Sequence, residues 1–254
     1  MRIALASARA RNNDVPFSLA QMRRCMAQAK RQNADLVCFG EAFLQGFDAF
    51  SWAYENDRAI AVSVEDEAFQ QLVRESAEVE IDLLFGFLER DGDRLYSSCA
   101  LLGGGRLIHL YRRLSVGWKE YTHTDEHYCE GDTVQPFDYR GRKCLIALCG
   151  DLWDVTAPRF QQGQEITFWP VYIDFSREEW YGEENERQQY AEKAAEFGGD
   201  VLLINSVSEE GHGCALGGCY HFAGGQIAAE LPLGSEGLLL VDLPKPVCLV
   251  RMRR

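Results

Sequence analysis

Two apolar runs in this sequence end abruptly in groups that can do chemistry. The first is CLIALCGDLWD, residues 144–154, where a thiol (Cys149), a glycine (Gly150) and an acid (Asp151) stand in succession. A strand that ends in a sharp turn can hold a side chain above a sheet edge, with the next backbone N–H groups turned toward whatever that side chain attacks. Cys149 then reads as a nucleophile. The alternative is a buried filler, because free cysteine is among the most buried residue types. The second run is DLVCFGEAF, residues 35–43, which places Glu41 at the end of an apolar strand. A carboxylate there is expensive unless it is paired or used. Burial can raise its pKa and make it a base for a thiol. Capping the next segment, or pairing with an arginine, is the plain alternative.

A thiol nucleophile needs a base or a cation to populate its thiolate. Histidines stand at 109, 123, 127, 212 and 221, but no papain-like signature surrounds Cys149. A carboxylate base with a cation is the other solution. YRRLSVGWKE, residues 111–120, offers Arg112, Arg113 and Lys119. One of these could sit over a developing oxyanion, or the segment is a solvated basic turn. Lysine can also relay a proton, which arginine cannot.

These residues need a scaffold, and the hydrophobic pattern supplies one. Strands are expected at Arg2–Ala6, Asp35–Phe39, Ile81–Glu89, Tyr96–Leu102 and Arg106–Arg112. A hairpin follows at Val134–Tyr139 and Lys143–Leu148, then strands at Glu165–Tyr172 and Val201–Ser206. Helical spacing marks Phe17–Gln32, Asp66–Val79 and Glu184–Phe197, the last stopped by Gly198-Gly199. Short strands at Ala215–Phe222, Gln226–Leu231 and Gly237–Leu243 close the chain. The order begins β-α-β-α-β, passes through hairpins and returns to β-α-β. With no linker, low-complexity tract or obvious repeat, a single mixed-sheet α/β domain over residues 1–254 is expected.

The bulk numbers agree. The 254 residues are 46% hydrophobic and 26% charged, enough for a sizeable core. A net charge of −13 argues against nucleic acid and anionic membrane as partners. No signal peptide and no transmembrane run is expected. Nine cysteines in apolar contexts read as reduced thiols of a cytoplasmic protein.

Taken in order, the blocks resemble the nitrilase, or carbon–nitrogen hydrolase, superfamily over nearly the whole chain. ADLVCFGEAFLQGF resembles its glutamate block, LLFGFLERDGDRLYSSCALLGGGRLIHLYRR the run into its lysine, and CLIALCGDLWD its cysteine block. ITFWPVY and LLINSV resemble its later strands near the substrate pocket. The resemblance implies a four-layer α-β-β-α sandwich of two mixed sheets. It implies Glu41 as general base, Cys149 as nucleophile, and the Gly150 N–H as an oxyanion donor beside the cation. It implies an amidase that needs no metal or organic cofactor, and a homodimer. One departure stands out: Arg113 occupies the position of the family's lysine, and Lys119 comes later, in GWKEY. Lys119 is preferred for the role, with Arg113 as the replacement. If neither reaches the site, the chain binds ligand without turning it over. Glu126 is the match to a second family glutamate, with Glu120 as its alternative; a solvated acidic loop is the plain reading.

The substrate expected from the resemblance is a small linear amide or carbamoyl compound. Trp153, Trp169 and Tyr172 could line its pocket, or pack in the core. Arg159 and Arg177 could hold a substrate carboxylate, or lie on the surface. The cluster His212, Cys214, Cys219 and His221 could hold zinc, but its spacing fits no standard finger or ribbon, and no metal is expected. A glutaminase subunit delivering ammonia to a partner enzyme is a further alternative.

Overall fold

The computed structural model describes residues 1–153, 160, 163–208 and 214–244. The chain runs β1 (Arg2–Ser7), α1 (Val15–Arg31), β2 (Leu36–Cys38), α2 (Tyr54–Ile60), α3 (Glu67–Val79), β3 (Asp82–Asp91), β4 (Arg94–Gly103) and β5 (Arg106–Arg112). It continues β6 (Phe137–Tyr139), β7 (Arg142–Ile146), β8 (Ile166–Val171), α4 (Arg177–Tyr181), α5 (Glu186–Ala195), β9 (Asp200–Asn205), β10 (Cys219–Ala223), β11 (Gln226–Leu231) and β12 (Gly237–Asp242). Short 3-10 turns occupy Phe47–Ala49 and Cys149–Leu152.

Two six-stranded sheets form, in the orders β12-β1-β2-β3-β4-β5 and β11-β10-β9-β8-β7-β6. β1, β2 and β3 are parallel, with β4 and β5 added antiparallel on one side and β12 on the other. The second sheet repeats the plan: β7, β8 and β9 are parallel, β10 and β11 follow antiparallel, and β6 flanks β7. The chain therefore runs one topology twice, a repeat invisible in residue identities because only the order of apolar runs is shared.

Alternation along the strands builds the layers. Ile3 and Leu5 of β1 join the core shared with the second sheet, while Ala4 and Ala6 face the cluster containing Leu19, Met22 and Phe69 of α1 and α3. On the other side, Trp180 of α4 and Tyr190 and Ala194 of α5 cover the second sheet. The result is the four-layer α-β-β-α sandwich expected from the resemblance. α1 begins where the Asp14 side chain accepts from the Phe17 N–H and ends on Lys30 and Arg31, a favourable polarity for its dipole. Among the described residues, no helix is long and apolar enough to cross a membrane.

Several expected bounds move. The strand expected at Val134–Tyr139 is confined to Phe137–Tyr139, and that expected at Ala215–Phe222 lies at Cys219–Ala223. α2 and α4, of 7 and 5 residues, were not expected, since so short an apolar pattern gives no clear period.

Candidate active site

Glu41 leaves the carboxyl end of β2 through Phe39-Gly40, where the two sheets meet. A Cβ added to Gly40 would stand 2.4 Å from Ser206 Oγ and 3.1 Å from the Val171 carbonyl, both at strand ends of the second sheet. Gly86 of β3 is required just as closely: a Cβ there would lie 2.5 Å from the Ala42 nitrogen and 2.7 Å from Glu41 Cα. These two glycines let the Glu41 turn lie flat against both sheets.

The Glu41 side chain is buried, and its two oxygens are treated unequally. Oε1 accepts from Arg113 Nη1 at 2.9 Å and from Ser97 Oγ at 2.8 Å. Oε2 is buried with no hydrogen-bond partner among the described residues. Arg113, itself buried, also donates from Nε to Ser115 Oγ at 2.7 Å. Its Nη2 would lie 2.7 Å from a Cβ placed on Gly150, so the guanidinium rests against the residue that follows Cys149. Burial alone would weaken its charge, but Glu41, Cys149 and Asp151 together hold the Arg113 pKa above its ordinary value.

Cys149 opens the 3-10 turn after β7 with a φ of 39°, a left-handed conformation uncommon for a residue with a side chain. Its carbonyl accepts from Trp169 Nε1 at 2.9 Å, and its half-buried Sγ lies 3.7 Å from the Tyr172 carbonyl. Burial first, then the Glu41 carboxylate, push the thiol up to about 11, with Arg113 pulling the other way. The resting sulfur is therefore protonated at neutral pH, and a base is needed to release it. Asp151 stitches the site together: Oδ1 accepts from the Leu114 and Ser115 N–H groups, and Oδ2 from the Leu148 N–H and the Tyr111 hydroxyl.

The two cations weighed for the role take different partners. Arg113, at the end of β5, is the cation that reaches Glu41. Lys119 lies beyond the Gly117-Trp118 turn, with Nζ 2.8 Å from Glu130 Oε1 and bonded to the Tyr128 carbonyl. Glu126 and Glu120 are exposed; the Glu126 carbonyl accepts from Cys129 Sγ, and that of Glu120 caps a turn. Among the described residues no hydrogen bond or ion pair joins either glutamate to Glu41, Arg113 or Cys149.

The three aromatic residues separate. Tyr172 borders the thiol, buried Trp169 holds the Cys149 carbonyl, and Trp153 is 41% exposed with its ring 5.0 Å from that of Tyr190. Arg177 packs over Gly234, whose added Cβ would stand 2.0 Å from its Nη2. Arg159 and His212 lie outside the described residues. Of the remaining cluster, His221 is engaged with Asp200 at 2.7 Å, Cys219 is buried and Cys214 is exposed.

Comparison with known proteins gives this geometry a family. The sequence matches the model of the carbon-nitrogen hydrolase family over residues 2–248. The chain belongs to the carbon–nitrogen hydrolase family. An arylacetonitrilase of Aspergillus niger is 25% identical over 266 residues, covering 91% of this chain and 76% of the nitrilase. A glutamine-dependent NAD(+) synthetase of Acinetobacter baylyi is 27% identical over 161 residues, 61% of this chain but only 28% of the synthetase. An amidase from Nesterenkonia sp. superposes with a TM-score of 0.79 at 23% identity, covering 96% of this chain and 90% of the amidase. That likeness is one of fold. A mutant of the Nesterenkonia amidase carries acrylamide added at its active-site cysteine.

The candidate site also takes in Ser115 and Gly86, which no local pattern in the sequence marks, and it gives a part to Ser97 and to Asp151, the acid inside the thiol turn. Ser97 enters from β4 and Ser115 from the loop just past β5, and their bonds to Glu41 and Arg113 depend on how the chain packs.

Proposed function

We propose that this carbon–nitrogen hydrolase is a cysteine-dependent amidase acting on a small linear amide or carbamoyl compound. The observation that supports it most is the divided Glu41 carboxylate: one oxygen anchored by Arg113 and Ser97, the other buried near the Cys149 turn without a donor among the described residues. Glu41 is the general base. Its Oε2 takes the proton from Cys149 Sγ as sulfur bonds to the amide carbon. Arg113 and the Gly150 N–H stabilise the tetrahedral oxyanion. The C–N bond then breaks, Glu41 returns its proton to the departing ammonia or amine, and a thioester remains. Water, deprotonated by Glu41, attacks the thioester, and Cys149 leaves as the thiol. Arg113 cannot relay protons, so both transfers fall to Glu41. Tyr172 borders the substrate in this reading. Glu126 has no step in it.

The described cysteines are free thiols, which accords with a reducing, cytoplasmic setting. A homodimer belongs to the same reading. A glutaminase role is the second reading, favoured by the synthetase relative, of whose length this chain spans 28%.

Ammonia release from a panel of amides, carbamoyl compounds, nitriles and glutamine tests the proposal, with Cys149→Ala and Arg113→Ala alongside. Turnover lost in both, with a thioester adduct detected on Cys149, supports it. Turnover that survives Cys149→Ala overturns it.

A further inference from the structure

The Arg113 guanidinium ends between two glycines. Its Nη2 would stand 2.7 Å from a Cβ placed on Gly150 and 3.4 Å from one placed on Gly117. With no side chain at either position, the planar group lies against the backbone that follows Cys149. Two of its nitrogens are engaged: Nη1 donates to Glu41 Oε1 at 2.9 Å and Nε to Ser115 Oγ at 2.7 Å. Nη2 has no acceptor among the described residues, and Gly150 beside it is half-buried. Burial opposes the charge of Arg113 most, but Glu41, Cys149 and Asp151 together outweigh it.

The thiol turn therefore meets fixed N–H groups that give up no proton. Their neighbours do not supply one. Ser115 Oγ takes a hydrogen bond from Arg113 Nε, so a proton given by that hydroxyl would have to be replaced from the guanidinium. Asp151 accepts hydrogen bonds at both oxygens. The mobile proton of the amidase reading rides on Glu41, toward the departing nitrogen.

This division suits a carbonyl and not a nitrile. The oxygen of a tetrahedral intermediate carries its charge briefly and collapses back to C=O, so hydrogen bonds are all it needs. A nitrile offers its nitrogen alone. As sulfur bonds to the nitrile carbon, one C–N π bond opens and its electron pair moves to nitrogen, which must gain the thiol's proton to give a thioimidate. Placed against Arg113 and the Gly150 N–H, that nitrogen finds its charge met but no proton. Placed against Glu41, it finds the proton but forfeits those donors.

We propose that Arg113 sets the reaction class of this site, admitting acyl compounds and excluding the corresponding nitriles. The inference rests on the amidase reading for the place of the oxygen.

An amide and the nitrile of the same carbon skeleton test it, in wild type and in Arg113→Lys. In wild type, kcat/KM for the nitrile is expected to lie at least about 10²-fold below that for the amide. Lysine can hand a proton to the nitrogen, so the nitrile-to-amide ratio is expected to rise by about tenfold in Arg113→Lys, even as amide turnover falls. A wild-type ratio near one overturns the inference, and so does a ratio that fails to rise in an Arg113→Lys protein with wild-type circular dichroism. The wild-type comparison stands whether or not the variant folds. A second measurement does not need amide turnover: the mass of the Cys149 peptide after exposure to the p-nitrophenyl ester of the same acid, or to the nitrile. Acylation by the ester with no nitrile adduct, in a protein that hydrolyses no amide, would sink the amidase reading and sustain this one. Equal uptake of both, with the amide hydrolysed, would do the reverse. A Cys149 that takes up neither would overturn both.

Discussion

Glu41 and Asp151 are both buried carboxylates, one at the end of a strand of the first sheet and the other just past a strand of the second, yet they are satisfied in opposite ways. Each Asp151 oxygen accepts donors: backbone N–H groups of Leu114 and Ser115 at 3.0 and 2.7 Å on one side, the Leu148 N–H and the Tyr111 hydroxyl at 2.8 and 2.6 Å on the other. It binds the end of β5 to the thiol turn, and so fixes Arg113 relative to Cys149. Among the described residues, Glu41 collects its donors on a single oxygen. A buried acceptor without a donor is costly, and natural interiors rarely keep one without use. Asp151 holds structure together; in the proposed mechanism Glu41 keeps an oxygen for a proton.

The sharpest way to break that comparison is to neutralise Glu41 without changing its shape. Glu41→Gln still accepts from Arg113 and Ser97 but takes no proton, so amide turnover should fall by about 10²–10⁴-fold. Its circular dichroism should match wild type; wild-type turnover would end the comparison. The converse substitution, Asp151→Ala, strands several donors and should cost about 3–5 kcal/mol of stability, read from urea unfolding. A loss below about 0.5 kcal/mol would mean that Asp151 is not a structural tie.

A third test concerns the cation. Arg113→Lys keeps the charge but cannot serve Glu41 and Ser115 in the same geometry, and kcat should fall by about tenfold. Lys119→Ala should leave kcat within about twofold, since its Nζ is paired with Glu130 and not with Glu41. The reverse order would restore Lys119 to the site.

The smallest effect is on titration. Cys149 alkylation should rise with pH toward a midpoint of about 11. The Glu41 charge raises that midpoint because it disfavours the neighbouring thiolate. Glu41→Gln should therefore lower it, by roughly one pH unit, as followed by iodoacetamide labelling. Arg113→Met removes a stabilising cation and should raise it.

The course of the fold was largely legible in the sequence. Strands such as β3 and β9 are apolar runs with clear stops, and α3 buries Phe69, Leu72, Val73 and Ser76 at helical spacing. Bounds failed where pairing rather than composition ends a strand, as at β6. The doubled topology was not legible, because sheet order depends on which strands bond and leaves no trace in residue identity.

The site divides in the same way. The sequence alone determined that a thiol and a carboxylate stand at the ends of buried runs, because an apolar stretch broken by a reactive group is a local pattern. Only the tertiary structure decided which cation meets that carboxylate. Arg113 and Lys119 are chemically close and lie in one loop region, and what separates them is direction: Arg113 extends inward from β5 onto Glu41 and the Gly150 backbone, while Lys119 turns to Glu130. Direction is set by contacts between strands far apart in the chain, among them Ser97 with Arg113 and Asp151 with Ser115. A sequence states which groups are available, and the packing of one sheet on the other determines which of them touch.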